Sequence, residues 1–363
     1  MTHLHFEFQI YCFKHPLIVV PLMFLFCVFP LTGHAQETIR FNSASPMTRD
    51  TLKCTSPTTD PATWVITKRA VFDENSQPIN SYISALLNRL QDSTGLGVPV
   101  TLEEFCQILE DDTASIVYAD MLVKYATPQS IEIQNKDHEN LSKVVLRDDH
   151  QQAGLSFQQT HDSLLAAVQA HYHVHRKDIV AILMWESKLG KFSGNYQIFN
   201  VFMGQILFLG LAYDYAIKKM TAQGDTSLFD EVSEIRAQQN RLKRIRKRAV
   251  ENLSILLRVA KESGTNPLSY RGSWGGAIGY PQFMPFRLNL AVDGDNNAEI
   301  NLYTWPDAIH SVANYLRNFN YDSSMSKRRR AIYRYNPMKS YVDGVINYAD
   351  TVWTMFEKDK IEQ

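Results

Sequence analysis

The sequence predicts a mainly α-helical chain, and three observations carry that prediction. From Ile79 onward apolar residues recur three and four apart, as in Ile83, Leu86, Leu87 and Leu90, the spacing of one helix face. Residues 179–185 and 198–216 are apolar runs that no proline interrupts, and the second is too long for a strand. Residues 231–263 place Ile235, Leu242, Ala249 and Leu256 seven apart, with Ile245, Leu253 and Ala260 on the same side, as one long amphipathic helix does. A single stretch, residues 271–285, breaks the pattern. Glycines at 272, 275, 276 and 279 exclude a regular helix there, so a small irregular or β portion is expected around it.

The chain starts differently. Lys14 and His15 lead into an apolar run at residues 17–31, and Gly33 and Ala35 provide a small-residue cleavage site. Residues 1–35 therefore read as a signal peptide, and the run is shorter than the roughly 20 residues that span a bilayer. The expectation is export, to the periplasm or cell envelope. Phe26 before Cys27 is too bulky for a lipoprotein site. Residues 36–78 are rich in Ser, Thr, Pro and Asp and read as an irregular arm with a short strand at 63–66. Residues 79–363 are left as the catalytic domain. Cys54 and Cys106 are the cysteines that would remain after cleavage, free to pair or not. A formal net charge of −1 argues against nucleic acid as a partner.

Within the domain, Thr101 followed by Glu104 has the form of a capping box. Residues 116–125 read as a short helix and residues 144–146 as a strand or loop. Leu164, Leu165, Val168 and Tyr172 form a stripe leading into residues 178–190. His171, His173 and His175 read as solvent-facing groups near a helix end, a metal pair being the rarer alternative. The basic cluster Arg241, Lys243, Arg244, Arg246, Lys247 and Arg248 reads as a solvated helix face, with a patch for an anionic polymer as the alternative.

Glu186 is the residue around which chemistry is organised. It ends the apolar run 179–185, and Gly190 follows one turn later. A carboxyl at the end of a buried helix is costly to ionise. A glutamic acid that stays neutral near pH 7 is a good proton donor, which is what a general acid must be. Downstream, Ser273, Tyr280 and Gln282 offer hydrogen bonds while Trp274 and Phe283 offer flat apolar faces. That mixture suits a sugar, with its hydroxyl edges and apolar faces.

Four motifs stand in order: Glu186-Ser187-Lys188-Leu189-Gly190, then Gly275-Gly276-Ala277-Ile278-Gly279-Tyr280-Pro281-Gln282-Phe283-Met284-Pro285, then the stretch from Trp305 to Leu316, then Arg334-Tyr335-Asn336. Together they resemble the membrane-bound lytic transglycosylase B family of peptidoglycan-cleaving enzymes. The resemblance runs from about Phe157 to the C-terminus, and more faintly from Ile79. It implies a lysozyme-like fold with a groove for glycan strands. It also implies Glu186 as the sole catalytic carboxyl. In that family the glutamic acid protonates the oxygen between N-acetylmuramic acid and N-acetylglucosamine, then takes the proton of the muramic C6 hydroxyl as a 1,6-anhydro ring closes. No cofactor is required. By motif match Ser273, Gln282, Tyr315, Tyr335 and Asn336 bind substrate. Three departures stand out: Pro281 where glycine is common, Leu189 where tryptophan is common, and a poorly matching segment at 200–248. The stem-peptide arginines are not recognisable there.

Asp293, Asp295 and Asn297 stand at positions 1, 3 and 5 of a short loop, with Glu299 at 7 and Ile300 at 8. This is the start of an EF-hand-like loop, in which closely spaced oxygens converge on Ca²⁺. Ala298 occupies the position of the usual glycine, and Asp307 is expected to complete the set, as in the resembled enzymes. The reading is structural Ca²⁺; the alternative is a surface turn rich in Asp and Asn. Two other functions stay open: a hydrolytic muramidase, and a non-catalytic peptidoglycan-binding scaffold. Glycan strands are the expected partner, with cell-wall remodelling proteins as possible further ones.

Overall fold

The computed structural model describes residues 59–128, 144–224 and 232–362 of the 363. Four short helices come first: α1 (Lys68–Val71), α2 (Ser81–Gln91), α3 (Leu102–Ile108) and α4 (Ala119–Ala126). Then follow α5 (Asp148–Thr160), α6 (Asp162–Tyr172) and α7 (Arg176–Ser187). A two-residue strand, β1 (Tyr196–Gln197), leads into the long helices α8 (Ile198–Ala222) and α9 (Val232–Glu262). After β2 (Arg271–Gly272), the chain ends in α10 (Trp305–Asn318), α11 (Met325–Tyr335) and α12 (Lys339–Glu362). β1 and β2 pair antiparallel, with Tyr196 opposite Gly272 and Gln197 opposite Arg271.

Local chemistry sets several of these boundaries. Thr101 and Glu104 close a reciprocal capping box on α3, and the Asn80 side chain caps α2 by accepting from Tyr82 and Ile83 N–H. The stripe on α2 buries Ile83, Leu86 and Leu90. That on α9 buries Leu242, Ile245, Ala249, Leu253, Leu256 and Ala260. α8 is long and apolar enough to cross a membrane, but 67% of its apolar window is buried inside the protein. Phe199, Phe202 and Met203 on it are core residues.

The helices pack in two groups. α8 and α9 lie against each other, with α4 on α8 and α2 on α9. α12 packs on α5, α7 and α11, while α10 packs on α6, α7 and α11. One apolar cluster runs through both groups. The β1–β2 ribbon and the glycine-rich loop beyond it connect the two along the chain.

Several expectations need correction. Residues 63–66 form no strand: residues 61–63 are a helical turn, and Ile66 N–H makes one bond to the Ser115 carbonyl. This part of the arm is not loose, since Trp64, Ile66, Val71 and Phe72 are buried and Trp64 stacks on Phe208 at 5.6 Å. Residues 144 and 145 are helical and residue 146 lies in a turn, so no strand forms there. The basic cluster on α9 is only partly solvated. Arg241 is buried and donates to the Tyr125 carbonyl at 2.9 Å; Arg246 donates to the Ile206 carbonyl at 2.7 Å and lies over the Tyr82 ring. Lys243, Arg244 and Lys247 are exposed. His171 and His175 belong to different helices and do not share a face, because His173 breaks the chain with a left-handed φ of 56°. The signal-peptide reading, the arm before residue 59 and Cys54 lie outside the described residues.

Candidate active site

α7 is held before it is aimed. Asp178, in its first turn, is fully buried and pairs with Arg328 on α11 at 2.6 Å. Arg328 also bridges Asp350 on α12 at 2.9 Å, and Tyr321 donates to Asp178. A buried carboxylate at a helix N-terminus gains from the helix dipole, and here both oxygens accept from donors: Arg328 Nε, Arg328 Nη2 and the Tyr321 hydroxyl. The far end of α7 is fixed by close approach. An added Cβ on Gly344 of α12 would lie 2.1 Å from the Trp185 ring, so only glycine lets the two helices come this near. That contact carries Tyr341, one turn earlier on α12, to Glu186.

The Glu186 side chain is 1% exposed. Its Oε1 accepts from the Tyr341 hydroxyl at 2.6 Å, while its Oε2 has no partner among the described residues. Burial pushes its pKa up to about 8, opposed in part by the Tyr341 hydrogen bond, which favours the carboxylate. At neutral pH the group is mostly protonated, and Oε2 is the oxygen left free to deliver the proton. The loss of solvation is the dominant cause, as the apolar run before Glu186 predicts.

α7 does not end on Gly190. Lys188 and Leu189 both take left-handed backbone, with φ of 49° and 52°, before Gly190 at 80°. Lys188 and Leu189 N–H return to the Met184 and Leu183 carbonyls, so the helix end is closed by hydrogen bonds at a conformational cost. The next loop is clamped. Gly190 lies against Trp305 and Tyr280, which stack at 4.2 Å; Phe192 N–H bonds the Ser187 carbonyl at 2.9 Å. Gly194 backs onto the Gly272 carbonyl.

The glycine-rich loop folds back on itself through single bridges between Gly272 and Ile278 and between Ile278 and Phe283. Ser273 is committed to that turn: its Oγ accepts from Ala277 N–H at 3.0 Å. Gln282 has a left-handed φ of 52° and is buried. Its amide nitrogen donates to the Ser193 carbonyl at 3.0 Å and to the Gly279 carbonyl at 2.7 Å. Gln282 thus ties the glycine-rich loop to the loop after α7, and only its amide oxygen is left for a ligand.

Tyr315 and Tyr335 are buried with ring centroids 4.6 Å apart and Phe283 beside them. Tyr335 donates to the Pro281 carbonyl and Tyr315 to the Arg334 carbonyl, each at 2.5 Å. Burial raises the pKa of both hydroxyls, and proximity to Glu186 raises them further. These tyrosines stay neutral donors. Asn336 is fully buried with both amide atoms unpartnered. Polar atoms buried without partners are rare, and a ligand group is one way to satisfy them. The residues gathered on Glu186 are therefore Tyr315, Tyr335 and Tyr341; the Ser273 oxygen serves as an acceptor within its own turn. Tyr341 escaped sequence reading because it lies beyond the four motifs, where a tyrosine in a helical stripe looks like any core residue.

The acidic loop brings three carboxylates together. Oxygens of Asp293, Asp295 and Asp307 lie within 4.8 Å of one another. Asp307 is fully buried and accepts Gly294 N–H at 2.7 Å and Asn301 N–H at 2.6 Å. Asn297 Oδ1 accepts Glu299 N–H at 2.8 Å. Ala298 takes a φ of 70°, the left-handed turn that an EF-hand reserves for glycine. The Glu299 side chain is exposed and is not part of the carboxylate cluster, which leaves it a backbone role. This hard, oxygen-only set fits Ca²⁺.

A stretch of 176 residues is 27% identical to membrane-bound lytic murein transglycosylase B of Escherichia coli strain K12. It covers 48% of this chain and 40% of that protein, so the match spans less than half of the relative. Among solved structures, the Escherichia coli lytic transglycosylase SLT35 in complex with calcium aligns with a TM-score of 0.57 at 17% identity, over 82% of this chain and 99% of that one. The same enzyme in complex with bulgecin A aligns with a TM-score of 0.54 at 16% identity, over 82% and 99%. At these identities the likeness is one of fold, and it bears out the mainly α, lysozyme-like expectation. Residues 106–330 match the family model described as the transglycosylase SLT domain, and the chain belongs to that family.

Proposed function

We propose that the protein is an exported peptidoglycan lytic transglycosylase, with Glu186 as both acid and base. The observation that carries this reading is the isolation of Glu186: a buried, protonated carboxyl whose only hydrogen-bond partner among the described residues is Tyr341. Glycosidases that add water use two carboxyl groups, one for the leaving oxygen and one for the water or the sugar carbon. No second carboxylate acts on Glu186 among the described residues.

The steps follow from that. The Oε2 proton passes to the glycosidic oxygen as its bond to the muramic C1 breaks, freeing the N-acetylglucosamine hydroxyl. Glu186 is now a carboxylate, steadied by the Tyr341 hydrogen bond. It takes the proton of the muramic C6 hydroxyl while O6 bonds to C1, which closes the 1,6-anhydro ring and restores the acid. No water is consumed. Gln282 Oε1 and the Asn336 amide are the polar groups that would steady the sugar, and the substrate's own acetamido group would stabilise the positive charge that develops at C1; Ser273, Tyr315 and Tyr335 shape the loop and wall around it.

Ca²⁺ at Asp293, Asp295, Asn297, the Glu299 carbonyl and Asp307 would stabilise the loop that enters α10 and takes no part in the chemistry. The apolar run at residues 17–31 supports export to the periplasm or envelope. Digestion of isolated sacculi followed by mass spectrometry tests the function. Products lighter by one water than reducing muropeptides are expected from wild type and absent with Glu186→Gln. Reducing ends would make the protein a muramidase, and no products at all a scaffold.

A further inference from the structure

The loop between α7 and β1 holds a feature the mechanism does not use. Phe192 is 60% exposed, although the backbone on either side of it is fixed. Its own N–H bonds the Ser187 carbonyl, next to Glu186, at 2.9 Å; the following carbonyl, on Ser193, accepts from Gln282 at 3.0 Å. Gly190 and Gly194 pack against Trp305 and the Gly272 carbonyl. A large aromatic ring is thus presented to solvent from a rigid support that touches both Glu186's neighbour and Gln282. Exposure of such a ring is unfavourable, and a mobile loop would let it fold away.

The charge around it is one-sided. Lys188 Nζ lies 4.9 Å from the Phe192 ring centroid, and exposed Lys191 is next in the loop. The other charged groups facing Lys188 are Arg147 and Asp149, and Asp149 is already bridged by Arg147 at 2.9 Å. Neither Lys188 nor Lys191 has a carboxylate within ion-pair distance among the described residues. Among the described residues the surface combines a flat apolar face with two lysines that no carboxylate pairs, beside a carboxyl set up to break a glycosidic bond.

We propose that Phe192, with Lys188 and Lys191, forms a binding subsite at the rim of the catalytic centre for a sugar ring that carries a carboxylate-bearing branch. The ring stacks its C–H face on Phe192, and the lysines meet the branch. Acetylated glycans with acidic or peptide branches fit, and neutral glycans bind through the stacking alone. This deepens the proposed function and rests on it.

The test uses the full chain as Glu186→Gln, which binds without turnover, and titration calorimetry with two probes. One is chitohexaose, an uncharged acetylated glycan; the other is a disaccharide-pentapeptide with free carboxylates. Phe192→Ala is expected to weaken both by about five- to tenfold, and Phe192→Trp to retain both. Lys188→Gln with Lys191→Gln is expected to weaken the peptide-bearing probe alone, and the difference should shrink in about 0.5 M salt. In the otherwise wild-type enzyme, Phe192→Ala should raise KM and leave kcat within about twofold. Unchanged affinity of Phe192→Ala for both probes overturns the subsite, as does a fall in kcat at constant KM. Equal loss on both probes in the lysine pair overturns the charged branch. Retained cleavage by Glu186→Gln would overturn the proposed function instead, with the binding results still legible.

Discussion

Tyr341 donates its hydroxyl proton to Glu186 Oε1 at 2.6 Å, joining residues 155 apart in sequence. The bond stabilises the carboxylate and so opposes the burial that raises the Glu186 pKa. Tyr341→Phe should therefore raise that pKa above its value of about 8 and move the alkaline limb of kcat/KM upward. The carboxylate intermediate loses its donor, so kcat should fall by about tenfold or more, from a charged hydrogen bond of ~1.5–3 kcal/mol. A pH–rate profile that does not move would separate Tyr341 from Glu186.

Glu186→Gln should abolish lysis, a loss of at least ~10²-fold, because an amide has no proton to give. Its stability should change in the opposite direction. The folded pKa is raised from the ordinary 4.5 to about 8, so between these values the folded state holds a proton that the unfolded state has released. The contribution of Glu186 to wild-type stability is fully present below pH 4.5 and is lost as pH rises through about 8. Glutamine does not titrate. The two proteins should melt alike near pH 4, and the variant should melt higher at pH 9, by an amount on the order of a few kcal/mol. Melting curves across that range check both the size and the sign.

Gly344→Ala tests how Tyr341 is delivered. The new methyl would meet the Trp185 ring at 2.1 Å, and α12 must move to admit it. Overpacking of this kind costs ~1–3 kcal/mol. Cleavage should drop more than stability predicts, because a shift of even about 1 Å separates Tyr341 from Glu186. Activity measured well below the melting temperature distinguishes the two effects.

Gln282→Ala should lower both kcat and melting temperature. The side chain ties Ser193 to Gly279, and its backbone is left-handed, so alanine loses the ties and keeps the strain. A loss of about 1 kcal/mol or more is expected, chiefly from the Ser193 carbonyl losing the amide donor, since the Gly279 carbonyl keeps the residue 282 backbone N–H. A variant with unchanged melting and reduced kcat would return Gln282 to a purely substrate-binding role.

Ca²⁺ added to chelator-treated protein should raise the melting temperature, by about 2.7 kcal/mol of stability at a hundred times the dissociation constant. Asp293→Ala with Asp295→Ala should remove the rise and leave cleavage detectable at low temperature. A flat response up to millimolar calcium would make the loop a surface turn, with Asp307 retained for its two backbone N–H bonds.

The sequence by itself determined what depends on near neighbours. Helical spacing placed α2, α7, α8 and α9 because side chains three and four apart share a face wherever the helix lies. The run before Glu186 announced that this carboxyl would be desolvated, and the glycines after Arg271 announced a backbone that is not helical. Aspartates two apart identified the acidic loop in the same way. What only the tertiary structure decided involves residues distant in the chain. Tyr341 reaches Glu186 because Gly344 admits Trp185, and no local spacing encodes that. Asp178 reads as an ordinary first-turn acid until Arg328, 150 positions later, is found on it. Arg241 and Arg246 read as solvated until carbonyls of α4 and α8 close over them. Gln282 looked free for substrate, yet its amide holds two loops together. Short-range order follows from the sequence of side chains along one element; pairing across elements depends on which surfaces the packed core brings within hydrogen-bond distance.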